Sequence, residues 1–256
     1  MNNNRLTKSI QRANEKGDIA LIPFLPAGFP RKDQFWEQIS ELDQAGADII
    51  EIGIPFSDPI ADGPVIENAS QKCLEQGINI EWILENLRQK RSSIQAEIVL
   101  MGYANPFLQY GWELLAREAV LCNIAGIIVP DLPYEESRHV RDLFKAHDLD
   151  LIPLVGLNTP ISRLQAYAEI DCGFVYVVSV LGTTGLYNNF SEGIKTTLSR
   201  ARNIFSQPLA LGFGIRHPDQ IRSLRQDLNA IVFGSSLIEH LLSGGQAEDF
   251  ISLWKR

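Results

Sequence analysis

The chain has 256 residues, 45% apolar and 21% charged, with a formal net charge of −8 and a pI near 5.1. That length suits one large α/β barrel or two small domains. The acidic balance argues against nucleic acid or an anionic membrane surface as main partner; it leaves phosphate esters open, because helix N-termini and backbone N–H groups bind phosphate without net positive charge.

In chain order, residues 5–16 predict a short amphipathic helix with Leu6, Ile10 and Ala13 on one side. Residues 19–25 predict the first strand, and Asp33 the cap of a helix carrying Phe35, Ile39 and Leu42. Residues 48–54 form the second strand, broken at Pro55 into a loop with Ser57, Asp58 and Asp62. A short helix with Val65, Ile66, Ala69 and Cys73 follows, then another over 81–91. The third strand is 98–101, followed by a helix over about 112–121; the fourth strand is 125–129. A helix with Val140, Leu143, Phe144 and His147 leads to a fifth strand over 149–155. Thr159-Pro160 reads as a cap with proline at the first helical position. The sixth strand is 174–178, and a Gly- and Thr-rich loop over 182–189 precedes a helix over about 192–205. The seventh strand, 209–211, leads to a helix marked by Ile221, Leu224 and Leu228. The eighth strand is 230–233, and helices over 235–242 and 247–254 close the chain.

About eight strand–helix units without a compositional break favour a parallel (β/α)8 TIM barrel, a single domain over residues 1–256. An open doubly wound sheet is the alternative. Gly212-Phe213-Gly214 comes late and lacks the third glycine of a dinucleotide fingerprint. The first 18 residues lack the apolar stretch of a secretory signal. No apolar run approaches the ~20 residues of a membrane span. A cytoplasmic protein is expected. Cys73, Cys122 and Cys172 are odd in number and lack metal-ligand spacing, so reduced side chains are expected.

In a parallel barrel, function sits where strands end and βα loops begin. The polar and glycine residues there are Glu51, Asp62, Tyr103, Asn105, Asp131, Tyr176, Thr184, Gly212, Gly214, Gly234 and Ser235. Alternation puts Ile50, Ile52 and Ile54 on one face of the second strand and Glu51 on the other. If both faces are buried, Glu51 is a carboxylate in a core, where an unpaired charge is costly. Proton chemistry is then the reading; an exposed strand face is the alternative. Gly212, Gly214, Gly234 and Ser235 suit a phosphate seat made by the last two strand-end loops and a helix N-terminus. Asp62 reads equally as catalyst or as the cap of the helix after Gly63-Pro64. Tyr176 reads equally as core or as site residue, and Asp58 as a loop-holding residue. His139, His147, His217 and His240 fall away from strand ends, so no metal site and no Ser-His-Asp triad is expected.

IEIGIPFSDPIADGP, followed by MGYANP, PDLPYEES, YVVS, GTTG, GFGI and GSS in this order, resembles the tryptophan synthase α chain family from about Ile19 to Leu242. The resemblance implies a (β/α)8 barrel that cleaves indole-3-glycerol phosphate to indole and glyceraldehyde 3-phosphate in tryptophan biosynthesis. It implies Glu51, Asp62 and Tyr176 as catalytic residues. Phe24, Thr184, Gly185, Gly212, Phe213, Gly214, Gly234 and Ser235 are implied for substrate and phosphate. Pro55, Asp58, Pro59, Tyr103, Asn105, Asp131 and Pro133 are implied for the partner face. The implied partner is a tryptophan synthase beta chain in an α2β2 complex. Pyridoxal phosphate belongs to that chain, and this one is expected to need no cofactor. The chain departs from the family's usual pattern at Pro26, across 155–160 and across 183–187. Those departures motivate an alternative: an activating partner of the beta chain with weak lyase activity. A sugar-phosphate isomerase barrel would usually show strand-end His or Lys residues, and few are present.

Overall fold

A computed structural model describes residues 4–178, 192–212 and 214–255. The elements in chain order are α1 (Arg5–Glu15), β1 (Ala20–Pro26), α2 (Phe35–Gln44), β2 (Ile49–Gly53), α3 (Pro64–Glu75), α4 (Ile80–Lys90) and β3 (Glu97–Met101). Next come α5 (Ala104–Tyr110), α6 (Trp112–Leu121), β4 (Gly126–Ile128), α7 (Arg138–Lys145), β5 (Asp150–Leu151), β6 (Leu154–Gly156), α8 (Ile161–Ala168) and β7 (Val175–Val178). The remainder are α9 (Glu192–Ile204), β8 (Leu209–Gly212), α10 (Pro218–Ile221), β9 (Ala230–Phe233), α11 (Ser235–Leu242) and α12 (Ala247–Trp254).

All pairings are parallel, in the order β5-β4-β3-β2-β1-β9-β8-β7-β6. The two end strands are neighbours in the chain, separated only by Ile152 and Pro153. The Ile152 N–H donates to the Ile127 carbonyl at 3.0 Å, and the Tyr176 N–H donates to the Pro153 carbonyl at 3.0 Å. β5 and β6 therefore share one barrel position, and the sheet closes through them. A single fifth strand was expected here. The structure splits it because proline has no N–H to give to a ladder.

Every residue of β1, β2, β8 and β9 is buried, as a parallel sheet covered by helices requires. At the ends where the strands begin, α1 covers the barrel. The Asn4 side chain accepts the Leu6 and Thr7 N–H groups and caps the helix. Its amide also donates to Asp150 at 2.6 Å, and the same carboxylate oxygen takes the Gly173 N–H at 3.0 Å. Thr7 donates its hydroxyl to the Gly173 carbonyl at 2.8 Å. Leu6 and Ile10 are fully buried, each contributing about 1.5–3 kcal/mol.

Other local expectations change. Gln34, not Asp33, precedes α2, because the Asp33 carboxylate is held by the Arg31 guanidinium. Pro160 takes the cap position of α8, and the Thr159 hydroxyl accepts the Gly156 N–H at 2.9 Å instead of capping. The helix after β8 is a short α10 followed by a 3-10 turn over Arg222–Leu224. The sequence reading missed α5. All three cysteines are buried and unpaired, and burial pushes the Cys73 thiol up to about 12, so they serve as small core residues.

Replacing Asn4 with alanine removes both the cap and the tie to Asp150. The expected loss is about 1–2 kcal/mol of unfolding free energy, seen as a lower urea midpoint. An unchanged midpoint would show that α1 holds on by apolar packing alone.

Candidate active site

The barrel's mouth, where strands end, holds a cleft of about 470 Å³, counting the space open to solvent. Phe24, Glu51, Asp62, Tyr176, Gly214, Gly234 and Ser235 all line it. These seven expected residues come from five strands or the loops that follow them. Gly212 lies against the Tyr176 ring rather than on the cleft wall. Thr184, Gly185 and Phe213 lie outside the described residues.

Glu51 sits in the middle of β2, paired in register with Phe24 on one side and Val99 on the other. It is 1% exposed, and neither carboxylate oxygen has a hydrogen-bond partner among the described residues. Burial pushes its carboxyl up to about 8, and the nearby charge of Asp62 adds to the shift. The proton is thus held at neutral pH. The exposed-face alternative is excluded.

Asp62 does not cap α3. Gly63 occupies the cap position, with Pro64 in the first turn. The Asp62 carboxylate instead hydrogen-bonds the Tyr103 hydroxyl. Burial pushes it up to about 6, while the Tyr103 bond pulls it down. Tyr103 is itself well fixed. It takes the Ala61 N–H at 3.0 Å, and its ring lies 5.4 Å from that of Phe56. Its neighbour Ala104 donates its N–H to Asp131 at 2.8 Å at the start of α5. The other end of the loop is tied where the Phe56 N–H donates to the Ser70 hydroxyl at 3.1 Å.

Tyr176 on β7 is 3% exposed, and burial followed by the charges of Glu51 and Asp62 raises its phenol well above the ordinary value. It remains a neutral hydroxyl. Glycines make room for the two rings of the cleft. A Cβ on Gly212 would collide with the Tyr176 ring and hydroxyl. A Cβ on Gly53 or Gly234 would come within 2.6 or 2.7 Å of the Phe24 ring.

Gly234 precedes α11, whose first turn contains no acidic residue. The helix therefore presents unpaired N–H groups and a partial positive charge next to Ser235. Ser236 is turned away, donating its hydroxyl to the Ile215 carbonyl at 3.0 Å. That bond ties the loops after β8 and β9 together. Anion binding is the chemistry this corner supports.

On the rim, Asp58, Asn105 and Pro133 are exposed, and Pro59 and Asp131 are half-buried. Pro55 and Tyr103 are buried and support the loop from within. The sequence reading missed the apolar walls Ile66, Met101 and Val232, because only polar and glycine strand ends were considered. Met101 could have been found as the last residue of β3. The histidines stand apart from the cleft; His217 caps α10 and His147 bonds the Leu143 carbonyl. No group of three or more potential metal-binding side chains occurs among the described residues.

The sequence model of the tryptophan synthase alpha chain family matches residues 10–251. The tryptophan synthase alpha chain of Maridesulfovibrio salexigens is 51% identical over 251 residues, covering 98% of each chain. That of Desulfovibrio desulfuricans is 52% identical over 254 residues, covering 98% of this chain and all of the relative. A solved structure of Mycobacterium tuberculosis tryptophan synthase superposes with a TM-score of 0.88 at 30% identity, covering 98% of this chain and 95% of that one. Matched over nearly its whole length, this chain belongs to the tryptophan synthase alpha chain family.

Proposed function

We propose that Glu51 and Asp62 divide the proton work of the family's reaction, with Tyr176 beside them. That reaction is the lyase half-reaction of tryptophan synthase, cleavage of indole-3-glycerol phosphate to indole and glyceraldehyde 3-phosphate. Indole C3 must gain a proton, the side-chain hydroxyl on the adjoining carbon must lose one, and the bond between those carbons then breaks. The electron pair of that bond returns to the ring, and the hydroxyl carbon becomes the aldehyde.

One carboxyl group serves both transfers. Neutral Glu51 gives its proton to C3, and the resulting carboxylate accepts the hydroxyl proton, which restores it. Asp62, ionised at neutral pH, accepts the ring N–H and stabilises the positive charge that develops when C3 is protonated. Two carboxyl groups held in different protonation states are what this division requires. The observation that carries the reading is Glu51 itself: 1% exposed, without a hydrogen-bond partner among the described residues, and near the charge of Asp62. The Tyr176 hydroxyl adds a neutral donor at the same place. Phe24 is the apolar plate for the indole ring. The glycerol phosphate end is assigned to Gly212, Gly214, Gly234 and Ser235, with Thr184, Gly185 and Phe213 from the family pattern.

The chain is proposed to act as one cytoplasmic barrel domain, without a cofactor of its own, in an α2β2 complex with a beta chain carrying pyridoxal phosphate. Asp58, Pro59, Asn105 and Pro133 are the proposed contact residues, with Pro55, Tyr103 and Asp131 behind them. Ile60 and Leu108 nearby are 80% and 65% exposed, which suits burial against another chain.

Glu51→Gln is expected to lower indole release by about 100- to 10,000-fold with the circular dichroism spectrum unchanged. Undiminished release would remove Glu51 from the mechanism. The kcat/KM for indole release should rise through about pH 6, as Asp62 ionises, and fall above about 8, as Glu51 loses its proton. A profile flat from pH 6 to 9 would count against neutral Glu51. The same shift has a stability signature. Glu51's folded value lies above its unfolded one, so its contribution is fully present below about 4.5 and is lost as pH rises through about 8. The melting temperature of Glu51→Gln should therefore climb relative to the unsubstituted chain between these limits. Tyr103→Phe, which leaves Asp62 without its hydroxyl donor, should cost about tenfold in kcat/KM and move the acidic limb upward. An unmoved limb would separate Tyr103 from Asp62.

A further inference from the structure

A second chamber lies on the flank of the barrel, between α7, α8 and the interruption of the fifth strand at Ile152 and Pro153. It encloses about 440 Å³, counting space open to solvent. It shares no lining residue with the catalytic cleft. Its walls are apolar at Val129 and Leu154 and polar at Ser137, Arg141, Tyr134 and Tyr167.

The two arginines around Tyr134 differ. Arg163, 5.5 Å from the Tyr134 ring, is neutralised by a two-point pair with Glu135. Arg141 lies closer, 4.4 Å over the ring. One of its amino groups donates to the Tyr134 carbonyl at 2.9 Å and to the Ser137 hydroxyl. Ser137 is only 4% exposed, and its own hydroxyl donates to the Tyr134 carbonyl at 2.8 Å. The guanidinium is thus held in place by one nitrogen. Among the described residues its other nitrogens make no hydrogen bond, and no carboxylate pairs with it.

A fixed guanidinium without a counter-charge, in a half-buried chamber, is a receptor for a carboxylate, which it meets with two parallel N–H donors. Tyr134 and Tyr167 meet edge to face, with ring centroids 5.2 Å apart and planes at 89°. They offer a flat guest an aromatic edge, and the aliphatic walls cover its faces. We propose that this chamber is a second ligand site, separate from the reaction, that takes an aromatic monocarboxylate through Arg141.

Benzoate is a suitable probe, with benzyl alcohol as the uncharged control, titrated into the full chain by ligand-observed NMR and calorimetry. Benzoate should bind with a Kd on the order of millimolar, and benzyl alcohol at least about tenfold more weakly. Arg141→Gln should lose benzoate binding to the same degree, while its KM for indole-3-glycerol phosphate stays unchanged. Saturating glycerol 3-phosphate should not displace benzoate. Should Arg141→Gln fail to fold, Arg141→Lys keeps the charge without the two-pronged geometry and should bind benzoate severalfold more weakly. No detectable benzoate binding, equal affinity in the Arg141 variant, or displacement by glycerol 3-phosphate would each overturn the assignment.

Discussion

The constraint on which the rest of the molecule depends is the burial of a carboxyl group inside a closed apolar barrel. Glu51, on β2 between β1 and β3, is 1% exposed and receives no hydrogen bond from the described residues. An ionised carboxylate there would be expensive, so the fold keeps a proton on it that water would remove. An open sheet would admit solvent to that face. Closure through β5 and β6 is therefore a chemical requirement as well as an architectural one. The strands around Glu51 supply the apolar surroundings, and they hold it in a register that a one-residue slip would reverse.

Asp62 needs the opposite treatment, and its support is of a different kind. It is carried by a loop, which strand pairing cannot fix. Rigidity comes instead from Tyr103 and Ser70 and from the proline residues along the loop. Tyr103 stands at the start of α5, whose first N–H is held by Asp131. A single chain of short contacts thus runs from the loop after β4, through the start of α5, to the second carboxylate. Burial raises both acids, Glu51 to about 8 and Asp62 only to about 6, because the Tyr103 hydroxyl near the mouth pulls Asp62 down.

Much of this was legible in the sequence, for identifiable reasons. Alternation along a short strand was enough to separate Glu51 from its isoleucine neighbours, because strand geometry has period two and admits few alternatives. Strand-end Gly214 and Gly234 pointed to the cleft wall for similar reasons. Asp62 was not legible from spacing: an aspartate before Gly-Pro has the look of a helix cap. The family resemblance pointed to it, and the structure rules out the cap by placing Gly63 there. The split of the fifth strand escaped because apolar periodicity does not register a missing N–H. The helix α5 escaped because seven residues with a proline among them carry too little pattern. The walls Ile66 and Met101 were invisible to a search for polar residues. They matter because they supply the apolar wall of the cleft.

The clasp of Asn4, Asp150 and Gly173 at the base of the barrel has a consequence for traffic. With α1 stoppering the end where strands begin, the cleft among the described residues opens at the opposite end. A molecule held there would pass the rim formed by the strand-end loops. On the proposed reaction, the phosphate-bearing fragment would be held at α11, while the indole fragment, once severed, would keep apolar contacts and a hydrogen bond to Asp62. The lighter grip would then fall on the indole, so where each half of the substrate is held would set the order of departure.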